Sequence, residues 1–287
     1  MSAPLLFQQI QPHQSLLNHT PATTMEFIAK LIGSNPDIKV VETIQSTYPG
    51  ALSNQELCKK LQAALSKHGY GKTTLLATSL CCDEVNRALE KELAKMFGDN
   101  FTMGGLAGFP FCGATSFMAM AHHIPHDGSC LIVYGPHVGI DSEGTVGKVD
   151  RRGRELSGAC CGSATDAAAY VKQVSAGEIE KAGIPKCPFD AQQIWVRNSL
   201  LPHSERLAAA EVEAAEVPLA LFDCQDEMMK RIVDEMCGEV AEGGKIVLLG
   251  GIQINTPSGT SDYFLPKVFE IKCNQGKTVE DLIGTLV

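Results

Sequence analysis

Two short apolar runs in this 287-residue chain stop at residues that bind soft metals, and that coincidence limits the fold more than any other feature. The stretch 73–80 is β-branched and apolar and runs into Cys81-Cys82-Asp83. The stretch 130–134 has the same character and runs through Gly135-Pro136 to His137. A third run over 245–254 and a fourth over 263–273 follow. Runs of this length and composition read as buried strands.

Helical patterns lie between them. Ser53 and Glu56 match a capping box, and Leu57, Leu61 and Leu65 follow on one face. Residues 83–96 read as one helix with Val85, Leu89, Leu93 and Met96 on one face. Further helices are expected over 115–121, 161–174, 188–201, 204–216 and 218–238, with a last short one over 279–286. Strands alternating with helices imply an α/β, three-layer fold around a central, mostly parallel sheet. Residues 1–22 read as an irregular arm, and 23–287 as a single domain that begins with a helical pattern over 23–32. Gly69-Tyr70-Gly71-Lys72-Thr73-Thr74 resembles half a phosphate loop. The first glycine of the full motif is replaced by Ser66, so it reads as a turn leading into a strand.

In open parallel sheets, sites form beyond the C-terminal ends of the strands, which is where Cys81 and His137 fall. A second adjacent pair, Cys160-Cys161, opens the helix over 161–174. Eleven cysteines, an odd number that includes two adjacent pairs, do not suit a disulfide framework. Free thiols and metal ligands in a reducing compartment suit the count better. One thiolate from each pair and His137 form a zinc donor set with a fourth position open, the pattern of catalytic sites. Asp83, two residues after Cys81, is placed to accept a hydrogen bond from a nucleophile at the metal, and Arg87, four residues further on, to keep that carboxylate ionised and aimed. Cys81 is preferred over Cys82 because it alone satisfies Cys-x-Asp. Cys161 is preferred over Cys160 because a helix N-terminus lowers a thiol's pKa.

The net charge of −9 argues against a nucleic-acid partner. No apolar run reaches the length of a membrane span, and the N-terminus carries no clear targeting peptide.

The stretches SLCCDEVNR, GGLAGFPFCGATSFMAMAHHIPHDGSCLIVYGPHVGID and RRGRELSGACCGSA, within residues 75–165, resemble the algal limiting-CO2-inducible protein B/C family, which is related to the θ- and β-carbonic anhydrases. The chain departs from the β class in spacing, with Arg87 further from Asp83 and 23 residues between His137 and Cys161. Cys161-Gly162 is similar to the Cys-Gly helix start of that class. The resemblance implies a β-carbonic-anhydrase-like fold and reversible hydration of CO2 to bicarbonate and a proton by zinc-bound hydroxide, within CO2-concentrating metabolism. It also implies a homodimer and a plastid location. On that reading Leu106, Phe109 and Phe111 line an apolar CO2 pocket, and His123, ahead of His122 and His126, is the candidate proton shuttle. Arg151, Arg152 and Arg154 read as a solvated loop, with assistance to bicarbonate as the alternative. The alternatives are a zinc-stabilised scaffold or bicarbonate-binding subunit with little turnover, and a thiol-redox protein, which the missing C-x-x-C disfavours.

Overall fold

The computed structural model describes residues 36–287 apart from 72 and 125–127. The expected arm over 1–22, the helical pattern over 23–32 and His126 lie outside these residues.

Helix α1 (Pro36–Thr47) leads through β1 (Leu52–Ser53) to α2 (Asn54–Ser66). The capping box forms as read: Ser53 accepts from the Glu56 amide, and Glu56 reaches back to the Ser53 amide. Leu57, Leu61 and Leu65 are buried, each contributing roughly 1.5–3 kcal/mol. Next come β2 (Leu75–Ser79), α3 (Ala88–Phe97), β3 (Asn100–Thr102), α4 (Gly113–Ala121), β4 (Ser129–Tyr134) and β5 (His137–Gly139). The paired strands β6 (Lys148–Val149) and β7 (Gly158–Ala159) precede α5 (Gly162–Ser175), α6 (Ala191–Leu200), α7 (Ser204–Ala209) and α8 (Glu213–Met236). Strands β8 (Lys245–Asn255), β9 (Tyr263–Cys273) and β10 (Thr278–Asp281) close the chain.

The sheet runs β1-β9-β8-β4-β2-β3, with β5 on β8 and β10 on β9. Strands β3, β2, β4 and β8 are mutually parallel, and β9 returns antiparallel. The period of two along β4 assigns the layers. Cys130, Ile132 and Tyr134 meet Ile44 of α1, Phe117 of α4 and Phe222 of α8. Leu131 and Val133 meet Leu57 and Leu61 of α2 and Leu89 and Leu93 of α3. Both faces are covered, so the strands are apolar throughout, as parallel strands must be.

Three expectations fail locally. Residues 83–96 do not form one helix: a 3-10 turn over Glu84–Arg87, with Asn86 off helical geometry, precedes α3. Asp83 caps that turn by accepting from the Val85 amide, which frees the first residues from the helix axis. The break near Pro218 falls instead between α7 and α8, where Ala210 turns extended; Pro218 sits inside α8. Residues 279–286 form β10 and a short 3-10 turn, because β9 offers an open edge to pair with. Among the described residues no helix is long and apolar enough to cross a membrane.

Candidate metal centre

Three segments meet beyond the C-terminal ends of β2, β4 and β8. Chain leaving β2 carries Cys81 and Asp83. Gly135 turns β4 towards β5 with φ of +146°, and a Cβ there would stand 1.7 Å from the Gly251 carbonyl oxygen, so only glycine lets β5 begin at His137 against β8. Cys161 is the N-cap of α5, joined by a cis peptide to Cys160.

The ligand atoms of Cys81, His137 and Cys161 lie within 4.8 Å of one another, and the two sulfurs are 3.9 Å apart. All three residues are buried, with exposures of 2, 1 and 4%. Cys82 is exposed. The His137 ring has its Nδ1 2.8 Å from Asn255 Oδ1, while its Nε2 is buried without a hydrogen-bond partner among the described residues. A buried orphan nitrogen is costly, and two sulfurs with an imidazole are soft donors, so the cluster fits a metal such as zinc. The two sulfurs differ electrostatically, and Cys161 is the one prepared as a thiolate. Cys161 is held below the ordinary thiol range by the hydrogen bond from Cys81 and, against burial, by the Ala164 and Ser163 amides of the helix N-terminus. Cys81 is pushed up to about 12 by sharing that hydrogen bond and by burial. Burial disfavours a charged His137 ring, but the Cys160 and Cys81 sulfurs outweigh it and raise its pKa.

Asp83 stands with His137 and Cys160 in a second group whose ligand atoms also lie within 4.8 Å. Its partner is not the expected Arg87. Arg151 grips it with both ends of the guanidinium, Nη1 to Oδ1 at 3.0 Å and Nη2 to Oδ2 at 2.8 Å, and also donates to Glu84. Burial alone would raise the Asp83 pKa; Arg151, with the Val85 amide, outweighs it and holds the carboxyl well below its usual range. Arg87 turns away, donating to Glu90 at 2.6 Å and to the Cys81 carbonyl. The turn that breaks the helix redirects Arg87, so four-residue helical spacing no longer applies. It braces the backbone of Cys81 instead.

His123 is not near this centre. It is exposed in the turn entering β4, at the opposite end of that strand from His137, and packs edge-on against Phe101. His122 pairs with Glu239. Leu106, Phe109 and Phe111 do belong to the apolar cluster that holds Cys81 and Cys161, with Phe109 stacked on Phe111 at 5.5 Å. They do not line the cavity that reaches His137, Cys160 and Cys161. That cavity, of about 290 Å³, is walled by small residues, among them Ala164, Ala168, Ala214 and Val217. Phe109 borders a separate cavity with Trp195 and His203.

Sequence reasoning missed Arg151 and Asn255. Spacing carries no signal for Arg151, 68 residues from Asp83. Asn255 carries a faint one, as a polar residue that ends the apolar run of β8 on the site's side of the sheet.

A mostly parallel α/β sheet whose C-terminal rim gathers two cysteines and a histidine, with a carboxylate beside them, defines a β-carbonic-anhydrase-like class with a site able to hold a metal. Residues 51–273 match the family described as limiting CO2-inducible proteins B/C, β carbonic anhydrases, and the chain belongs to that family. It is similar to the crystal structure of PtLCIB4, a homologue of the limiting CO2-inducible protein LCIB, at 46% identity over 84% of this chain and 99% of that one, with a TM-score of 0.80. A single-substitution variant of PtLCIB4 gives 45% identity over 85% and 99%, with a TM-score of 0.81. LCIB itself, at 17% identity over 82% and 96% with a TM-score of 0.63, shares the fold. No curated protein sequence matches.

Proposed function

We propose that the chain is a zinc-dependent carbonic anhydrase that interconverts CO2 and bicarbonate. One observation carries the reading: the His137 ring, with a buried, orphaned Nε2, clusters with two buried sulfurs beside a carboxylate that a guanidinium keeps ionised. A purely structural site has no use for that carboxylate. Cys81 Sγ, His137 Nε2 and Cys161 Sγ would hold zinc, which when bound lowers the pKa of a water enough to make it a nucleophile at neutral pH.

The chain's own groups do the rest. Asp83, aimed by Arg151, accepts a hydrogen bond from the attacking water, so it fixes the lone pair and admits only a species that can donate. The apolar surroundings of Cys81 and Cys161 exclude bulk water and strengthen each polar contact. CO2, which has no charge to steer it, approaches along the small-residue wall of Ala164, Ala168 and Val217. With His123 remote, the proton leaves by solvent.

The test is CO2 hydration and zinc content of the purified protein beside Cys81→Ala and His137→Ala. Both variants should lose zinc and activity together; full activity in both removes the assignment. The same reading includes one domain over the described residues and a homodimer, which light scattering would show as twice the mass of 30.7 kDa. Exposed Ile184, Phe189 and Trp195 before and on α6 support a contact surface. A plastid location rests on family resemblance alone, and a tagged chain followed by microscopy would test it.

A further inference from the structure

Asn255 is buried with 1% exposure at the last position of β8, and its polar contacts leave its amide only one orientation. Its Nδ2 faces the Val85 carbonyl at 3.2 Å and Asp262 Oδ2 at 3.3 Å, both acceptors. Turning the amide over would set its oxygen against those two oxygens. Oδ1 must therefore face His137 Nδ1, at 2.8 Å. An oxygen there accepts, so Nδ1 carries the ring proton and the unpartnered Nε2 keeps the lone pair. Asp262 is itself fixed, its Oδ1 accepting from the Thr256 amide at 2.9 Å and hydroxyl at 3.2 Å. Through Val85 the same amide ties β8 to the 3-10 turn that follows Asp83. Cys160 Sγ lies 3.5 Å from His137 Nδ1 and 3.8 Å from Asn255 Oδ1, against the same oxygen.

We propose that Asn255, braced by Asp262, is the positioning residue that selects the Nδ1–H tautomer of His137 and so makes Nε2 the metal-binding atom. This rests on the metal reading above and concerns how that site is prepared, not which residues bind. Outer partners that orient a ligating histidine are typically worth on the order of 10- to 100-fold in metal affinity.

The experiment measures zinc affinity by competition with a chromophoric chelator for the wild type, Asn255→Leu and Asn255→Asp. Thermal unfolding of the zinc-free forms is followed in parallel. Leucine keeps the volume but offers no acceptor. Aspartate keeps the acceptor for Nδ1–H but sets a carboxylate against Asp262 and Val85. Positioning predicts that Asn255→Leu binds zinc about 10- to 100-fold more weakly, while Asn255→Asp stays close to the wild type although it is the less stable fold. A merely structural role predicts that affinity follows stability, with aspartate worse than leucine, and that result overturns the proposal. Nitrogen-15 spectra of the zinc-loaded wild type need no variant: they should show a proton on His137 Nδ1 and the metal on Nε2, and the reverse assignment overturns the proposal as well. Zinc held equally by wild type and Asn255→Leu sinks this inference alone, whereas a wild type that holds no zinc sinks the proposed function with it.

Discussion

Replacing Arg151 with lysine separates the carboxylate's true partner from the one its spacing suggests. Arg151 makes two charge-assisted hydrogen bonds to Asp83, at 3.0 and 2.8 Å, with the two side chains 23 and 13% exposed. Such bonds contribute about 1.5–3 kcal/mol each, and partial exposure puts these near the lower end. A lysine ammonium keeps the charge but cannot span both oxygens, so one bond is lost. The loss of about 1.4 kcal/mol corresponds to roughly tenfold in whatever the aimed carboxylate contributes to the rate. Arg151→Lys should thus lower kcat/KM for CO2 hydration by about tenfold, measured by stopped flow with a pH indicator, with zinc content unchanged. Arg87→Lys perturbs contacts to Glu90 and the Cys81 carbonyl and should lower the rate less. If Arg151→Lys stays within about twofold of the wild type, or Arg87→Lys falls further, the assignment of Arg151 as the carboxylate's partner is wrong.

Gly135→Ala should destabilise the fold by about 3 kcal/mol or more, since its Cβ meets the Gly251 carbonyl oxygen at 1.7 Å; a thermal unfolding shift equivalent to under about 1 kcal/mol would contradict this. Ser53→Ala removes the capping box of α2 and should cost about 1 kcal/mol in denaturant unfolding. Asp166, held below its ordinary pKa chiefly by Arg197, gives a pH-dependent term. Because the folded pKa is depressed, its contribution is fully present above the unfolded value of about 3.9 and is lost as pH falls through the folded value. Asp166→Asn should cost about 0.5 kcal/mol at neutral pH, discounted for exposure, and the wild-type and variant stability curves should converge in acid.

The strands β2, β4 and β8 were legible because strands buried on both faces must be apolar along their whole length, and such runs stand out. The capping box of α2 was legible because it is local. Cys81, His137 and Cys161 were legible for a different reason: each sits where a regular element starts or stops, and the rim of a parallel sheet gathers such points. What escaped depends on partners far along the chain. Arg151 and Asn255 act across 68 and 118 residues, distances at which spacing says nothing. His122 and His123 stood out in the sequence, yet the turn that holds them lies at the opposite end of β4 from His137. Residues 279–286 resembled a helix because the open edge of β9, which turns them into a strand, is a property of the assembled sheet.

The margins of the sheet bear on how copies of this protein can meet. Among the described residues one margin is β3, three residues long; the other is shared between β1, of two residues, and β10, of four exposed residues that include Glu280 and Asp281. Short, interrupted or acidic margins are poor templates for strand addition. Growth into open-ended polymers along the hydrogen-bonding direction is thereby discouraged, and the long, sticky strands β8 and β9 stay sealed in the middle. Any association of copies would fall instead to the helical layers, and a self-complementary patch there would close at two copies.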